Sequence, residues 1–218
     1  MTNPIIENIR RSLGRTDQIS SPQGAPLGLR PAIYESRQPE SVDSEITRFL
    51  GEIKKLSGVG RKLSITEIES ALRALVTEHN IRTATVWNTP FLNQLGIAEI
   101  LQTLGVELVS PNANKHAMSK CDLGITEADF ILPETGTIAL YSSAEKPRAV
   151  SLLPRVHLAI VTPDALRADM HQVFAEAKDS NYLVFITGPS RTADIELTVT
   201  LGVHGPKNLF VWVMEEKN

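Results

Sequence analysis

Apolar residues return every three or four positions from Asp43 to Leu56, with Ile46, Phe49, Leu50 and Ile53 on one stripe, and this predicts an amphipathic helix. A second helix is expected from about Thr66 to Glu78, opened by a capping-box pair, Thr66 and Glu69. The period then changes. Ala84 to Trp87 is a β-rich run, and Thr89-Pro90 supplies an N-cap and a first-turn proline for a helix to about Thr103. Gly105 closes that helix, and Val106 to Val109 reads as the next strand. The second half repeats the alternation. A strand over Val156 to Val161 leads into a helix from Thr162-Pro163 through Ala177, and Tyr182 to Ile186 is an apolar strand. A helix capped by Ser190 or Thr192 is expected to end near Gly202, before a last strand from Leu209 to Val213. Between the halves, Asp129 to Leu132 and Thr137 to Tyr141 flank Pro133-Glu-Thr-Gly136, the pattern of a hairpin.

Strand–helix–strand units of this length bury their strands on both faces, so the expected fold class is α/β: a three-layer, open, mainly parallel sheet flanked by helices. The preceding stretch differs in kind. Pro4 to Leu13 suits a short helix, and Gly14 to Ser41 is rich in Pro, Gly and Ser and has little to bury. The expected organisation is an N-terminal helix and arm over residues 1–41 and an α/β domain over 42–218.

Charge and cysteine content narrow the function. The net charge of −3 is scattered, and no basic run is present to neutralise a row of phosphates, so nucleic acid is not an expected partner. Cys121 is the only cysteine. An internal disulfide is therefore excluded, as is an iron–sulfur cluster held by this chain alone, because such clusters take four thiolates. No apolar run approaches a membrane span, and Glu7, Arg10 and Arg11 interrupt what a signal peptide would need, so a cytoplasmic location is expected.

Parallel sheets bind ligands where strands run into loops, and two segments of that kind carry dense polar chemistry. The first runs from Gly124 through Thr126 to Asp129 and on into Glu134, Thr135, Gly136 and Thr137. Glu134 is the candidate general base, nucleophile or ligand-orienting acceptor, with Asp129 as a neighbour if the hairpin faces the cleft. An ordinary tight turn with a solvated glutamate explains the same residues. The second segment, Thr187 to Glu196, holds Gly188, Ser190, Arg191, Thr192, Asp194 and Glu196. Backbone amides from Ser190 onward, at an expected helix start, would accept an anion, and Arg191 would clamp a carboxylate or phosphate. A well-capped helix with Asp194 and Glu196 answering its dipole is the plainer alternative. None of the five histidines has metal-site companions, so no metal site is expected. His204, in the Gly202 to Pro206 turn, is the best placed of them, and the others read as structural or exposed.

The same three motifs resemble the lactate-utilisation (LUD) domain family, over roughly Asp43 to Met214 and in the family's order and spacing. Chain length and the missing cysteine motifs resemble its bacterial members of the C type. The resemblance implies a fold akin to the sugar-phosphate isomerase and coenzyme A transferase (NagB/RpiA/CoA transferase-like) superfamily. It also implies an accessory role in oxidising L-lactate to pyruvate, beside two iron–sulfur partner subunits that would carry the clusters. This chain would bind no cofactor by itself, and a small carboxylate or phosphate is the candidate ligand. Two other functions stay open. One is a stand-alone enzyme on that scaffold, with Glu134 as base or acyl acceptor and the 188–196 loop holding phosphate. The other is a non-catalytic small-anion-binding regulatory module.

Overall fold

Alternating hydrophobic runs resolve into a six-stranded, wholly parallel sheet, as a computed structural model shows, with strands in the spatial order Val59–Leu63 (β1), Asn208–Met214 (β11), Val156–Val161 (β7), Leu123–Glu127 (β4), Thr83–Val86 (β2) and Glu107–Leu108 (β3). The structure describes residues 12, 38–177, 182–192 and 200–215. The expected helix from Pro4 and the arm to Ser41 therefore lie outside the described residues, except for Ser12 and residues 38–41.

Helix α1 (Val42–Lys55) begins where Ser41 accepts a hydrogen bond from the Ser44 amide, and it buries Ile46, Phe49 and Ile53. Strand β1 (Val59–Leu63) follows. This edge strand buries only Leu63, and its Val-Gly-Arg-Lys run has no sequence signature of a strand. The capping box sits two residues earlier than the sequence pattern indicated: the Ser64 amide donates to the Glu67 carboxylate at 2.9 Å, and a single 3-10 turn leads into α2 (Ile68–Glu78). Strand β2 (Thr83–Val86) comes next. The helix expected from Thr89 divides into α3 (Pro90–Gln94) and α4 (Ile97–Thr103), because Gly96 between them takes φ +65°. A two-residue strand β3 (Glu107–Leu108) and a short helix α5 (Lys115–Met118) precede β4 (Leu123–Glu127).

Strand β4 is the central correction to the sequence reading. Gly124-Ile-Thr-Glu127 looks like a polar loop, yet four of the five residues of β4 are buried between β2 and β7. Gly124 is required there: a Cβ at this position would stand 1.9 Å from the Val150 carbonyl oxygen of α6 (Ala149–Leu152), which rests directly on the strand.

The hairpin forms as expected, from β5 (Phe130–Leu132) and β6 (Thr137–Tyr141). Strand β7 (Val156–Val161) is fully buried. Instead of one long helix after it, a 3-10 turn at Pro163–Ala165 is followed by α7 (Met170–Glu176), which Asp169 caps at the Gln172 amide. Strand β8 (Leu183–Ile186) does not join the parallel sheet; it pairs antiparallel with β6 to make a three-stranded sheet, β5-β6-β8. The helix expected to start at Ser190 or Thr192 is absent from the described part of that segment. Arg191–Thr192 (β9) and Thr200–Leu201 (β10) are antiparallel strands, and β11 (Asn208–Met214) ends the sheet.

Register fixes the two faces. Gly124, His157 and Leu209 pair across β4, β7 and β11, so they share one face, and Val211 and its partner Gly60 lie on that same side. Leu50 and Ile53 of α1 lie against Gly60, and α6 lies against Gly124, so both helices cover this face. The opposite face carries Phe210, met edge-on by His79 at the end of α2, and Trp212, with the Arg61 guanidinium 5.1 Å from its ring centre. A small second core of Phe130, Leu132, Ala139 and Val173 joins the three-stranded sheet to α7.

Candidate functional site

On the face covered by α1 and α6, a cavity of about 210 Å³ opens between the start of β7, the end of α6, β8 and the Gly202–Pro206 turn. Its polar lining is Ser151, His157, Thr187, Ser190 and His204. Leu152, Ile186 and Leu209 supply apolar wall.

His157 is the most constrained of these groups. Placed by a strand buried on both faces, it has no exposed surface. Its Nε2 lies 2.8 Å from Thr126 Oγ1 on β4, while Nδ1 has no hydrogen-bond partner among the described residues. Burial depresses its pKa from 6.5 to about 3, because an imidazolium would lose its hydration with no carboxylate in exchange. The ring is therefore neutral at physiological pH and can donate or accept at Nδ1, according to its tautomer. Thr85 Oγ1 is the other buried side-chain atom without a partner among the described residues, but Thr85 does not line the cavity.

A second polar thread reaches the same place. Thr135 Oγ1 and Thr137 Oγ1 lie 2.8 Å apart, and Thr137 Oγ1 lies 2.8 Å from Thr187 Oγ1 on the cavity rim. Gly136 makes the turn between the first two at φ +61°, with the α1 backbone so near that a Cβ would come within 2.9 Å of it. Gly188, at φ +84°, fits beside Leu56 in the same way.

The structure thus gathers much of what the sequence singled out. Gly188, Ser190 and His204 line the cavity, Thr126 reaches it through His157, and Thr135 and Thr137 reach it through Thr187. Other residues lie elsewhere. Glu134 is 56% exposed, 3.7 Å from Arg48 of α1, and does not line the cavity. Arg191 donates through Nη2 to the Leu56 carbonyl oxygen at the end of α1, with Ser57 Oγ at 3.4 Å, so this part of its guanidinium meets a helix terminus. The Ser190 amide donates to the Pro206 carbonyl oxygen at 2.9 Å, which removes it from any anion-binding set. Thr192 pairs with Thr200 in the β9–β10 ribbon, and Asp194 and Glu196 lie outside the described residues.

Asp129 belongs to a separate cluster. Lys146 Nζ lies 2.7 Å from Asp129 Oδ1, 3.7 Å from Glu127 Oε2 and 5.6 Å from the centre of the Trp87 ring. The other Asp129 oxygen accepts the Tyr141 amide at 2.7 Å, Glu127 accepts from the Thr89 hydroxyl, and Trp87 Nε1 donates to the Pro147 carbonyl oxygen. Each carboxylate there has a protein donor, and the cluster ties the loop after β6 to the ends of β2 and β4.

From the sequence His157 reads as one of the structural or exposed histidines, and Thr187 opens the second polar segment without being one of its candidate residues. A titratable residue inside the otherwise apolar Val156–Val161 run is the available signal, since a buried histidine needs partners or leaves a nitrogen unmet. Among the described residues, no group of three or more His, Cys, Asp or Glu side chains is placed to hold a metal ion, and no helix is long and apolar enough to cross a membrane.

Comparison with known proteins defines the class. The model of the LUD domain matches residues 53–214, and the chain belongs to the LUD-domain family. Its curated relatives include the lactate utilization protein C of Halalkalibacterium halodurans, 29% identical over 97% of this chain and 96% of that protein. The protein of the same name from Oceanobacillus iheyensis is 34% identical, over 96% of each chain. Among solved structures, a DUF162 family protein from Deinococcus radiodurans superposes with a TM-score of 0.62 over 81% of this chain and all of that one, at 21% identity, a likeness of fold.

Proposed function

We propose that this chain is a cluster-free accessory subunit of a cytoplasmic bacterial system that oxidises L-lactate to pyruvate, working beside two iron–sulfur subunits. The observation that carries the reading is its near-full-length likeness to proteins named lactate utilization protein C. The thiol inventory supports it. Lactate oxidation releases two electrons, and a chain with a single cysteine, 3% exposed in the core, does not supply the four thiolates of an iron–sulfur cluster, so in this reading the clusters sit on the partner subunits. Glu134 offers little to the competing stand-alone enzyme, because a side chain 56% exposed and outside the cavity does not face a substrate held there.

Purification of the tagged full chain from its own lactate-grown cells tests this. Iron-bearing partners are expected to co-elute, and lactate-dependent dye reduction is expected to fall in cells lacking the chain. Elution alone and free of iron, with dye reduction intact in the deletion strain, sinks the proposal.

A further inference from the structure

Nδ1 of His157 is a fully buried polar atom with no partner among the described residues, on a residue that lines a cavity, and an atom left so is destabilising until a ligand meets it. We infer that the cavity bounded by His157, Thr187, Ser190 and His204 binds a short 2-hydroxy or 2-oxo monocarboxylate, with His157 Nδ1 bonded to the hydroxyl or oxo oxygen. The chemical class rests on the proposed role in lactate utilisation; the existence and location of the site do not.

Three properties of the cavity select this ligand. The volume of about 210 Å³ lies below the usual range of about 300–1,000 Å³ for drug-sized ligands, so the occupant has few atoms. The described lining holds hydroxyls and imidazoles but no carboxylate, lysine or arginine. That lining sets no fixed negative charge against a monoanion, which also needs less counter-charge than a phosphate dianion. Leu152, Ile186 and Leu209 provide the apolar surface that a short alkyl group needs. The imidazole stays neutral because of its burial, so it offers a fixed hydrogen bond rather than a charge, and the group it meets is an uncharged oxygen.

Calorimetric titration of the full chain with L-lactate, pyruvate, propanoate and inorganic phosphate tests the site. L-lactate and pyruvate are expected to bind, with propanoate, which lacks the oxygen on C2, about tenfold weaker and phosphate weaker still. Two variants locate the contact. His157→Gln keeps a group near Nε2 for Thr126 but presents nothing at Nδ1, so it is expected to lose about tenfold in L-lactate affinity. His157→Asn places its amide near Nδ1 and is expected to recover most of that affinity. If either variant fails to fold, the ring-nitrogen NMR shifts of His157 in the wild-type chain carry the same information: L-lactate moves Nδ1 and propanoate does not.

Equal affinity for propanoate, an unchanged affinity in His157→Gln, or no binding by any of the four anions overturns the inference. A chain that binds none of them yet co-elutes with iron-bearing partners overturns the ligand and leaves the subunit role standing. A chain that binds L-lactate through His157 but elutes alone does the reverse.

Discussion

Acidification is expected to unfold this protein through His157 before its carboxylates contribute. In the unfolded chain the imidazole titrates near 6.5, whereas burial holds the folded value at about 3. The folded value is depressed, so between these two pH values the unfolded state binds one more proton than the folded state. Stability therefore falls as pH falls, by about 1.4 kcal/mol per unit well inside that window. From pH 7.5 to pH 5 the accumulated loss is about 2 kcal/mol, and any folded value below about 4 gives nearly the same figure. For a chain of this size that corresponds to a fall in Tm of roughly 4–8 °C. Urea unfolding at the two pH values, on wild type and His157→Gln, is the assay. The other histidines are common to both proteins and cancel in the difference. Asp122, held below the usual carboxylate range by the Arg82 and Thr83 amides and by Arg155 despite its burial, loses its contribution only at more acid pH. The variant should lose about 2 kcal/mol less than wild type between pH 7.5 and 5. Equal losses in the two proteins would falsify the reasoning.

Gly124→Ala drives a methyl into the Val150 carbonyl oxygen, 1.9 Å away, and should cost at least about 3 kcal/mol or abolish soluble expression; urea midpoints decide. Gly136→Ala combines a left-handed backbone at φ +61° with a 2.9 Å approach to α1 and should cost about 2–4 kcal/mol, seen as a lower Tm. Lys146→Met strands Asp129, whose side chain is 15% exposed, and should cost about 1–3 kcal/mol with a change in Trp87 fluorescence. Adding Asp129→Asn to that variant should recover part of the loss, and a strictly additive double mutant denies the pairing.

The alternation of apolar runs made the α/β class legible, because strands buried on both faces read as unbroken hydrophobic segments: Val156–Val161 and Leu209–Val213 stand out on composition alone. The strands that escaped are those whose burial is decided by a neighbour. Gly124 and Thr126 look polar, yet α6 demands the first and His157 satisfies the second. The start of the strand after α1 was hidden for the opposite reason, since edge residues such as Arg61 and Lys62 need no apolar character. The hairpin was readable through Gly136, but the contact made by Arg191 was not. An arginine beside a glycine loop suits an anion, and only tertiary structure shows the Leu56 carbonyl as its acceptor. The same limit applies to β8, whose apolar run fits either sheet; its pairing with β6 is a tertiary choice. Thr126, Thr137, Gly188, Ser190 and His204 converge on the cavity because β4, β6 and the loops after β8 and β10 bring them there, which no linear spacing expresses.

Cys121 gives the molecule a built-in clock. It is the one thiol in the chain, is 3% exposed, and burial together with the nearby Asp122 and Glu107 charges raises its pKa, so the reactive thiolate is scarce while the core is closed. When reclosing is fast relative to the chemistry, excess alkylating reagent adds at a rate set by the equilibrium fraction in which the segment around α5 and β4 is open, and no second cysteine of this chain blurs the count. The growth of the single-adduct mass then reports that fraction. The folding equilibrium of this domain becomes readable inside crude extract, without purification and without an introduced label.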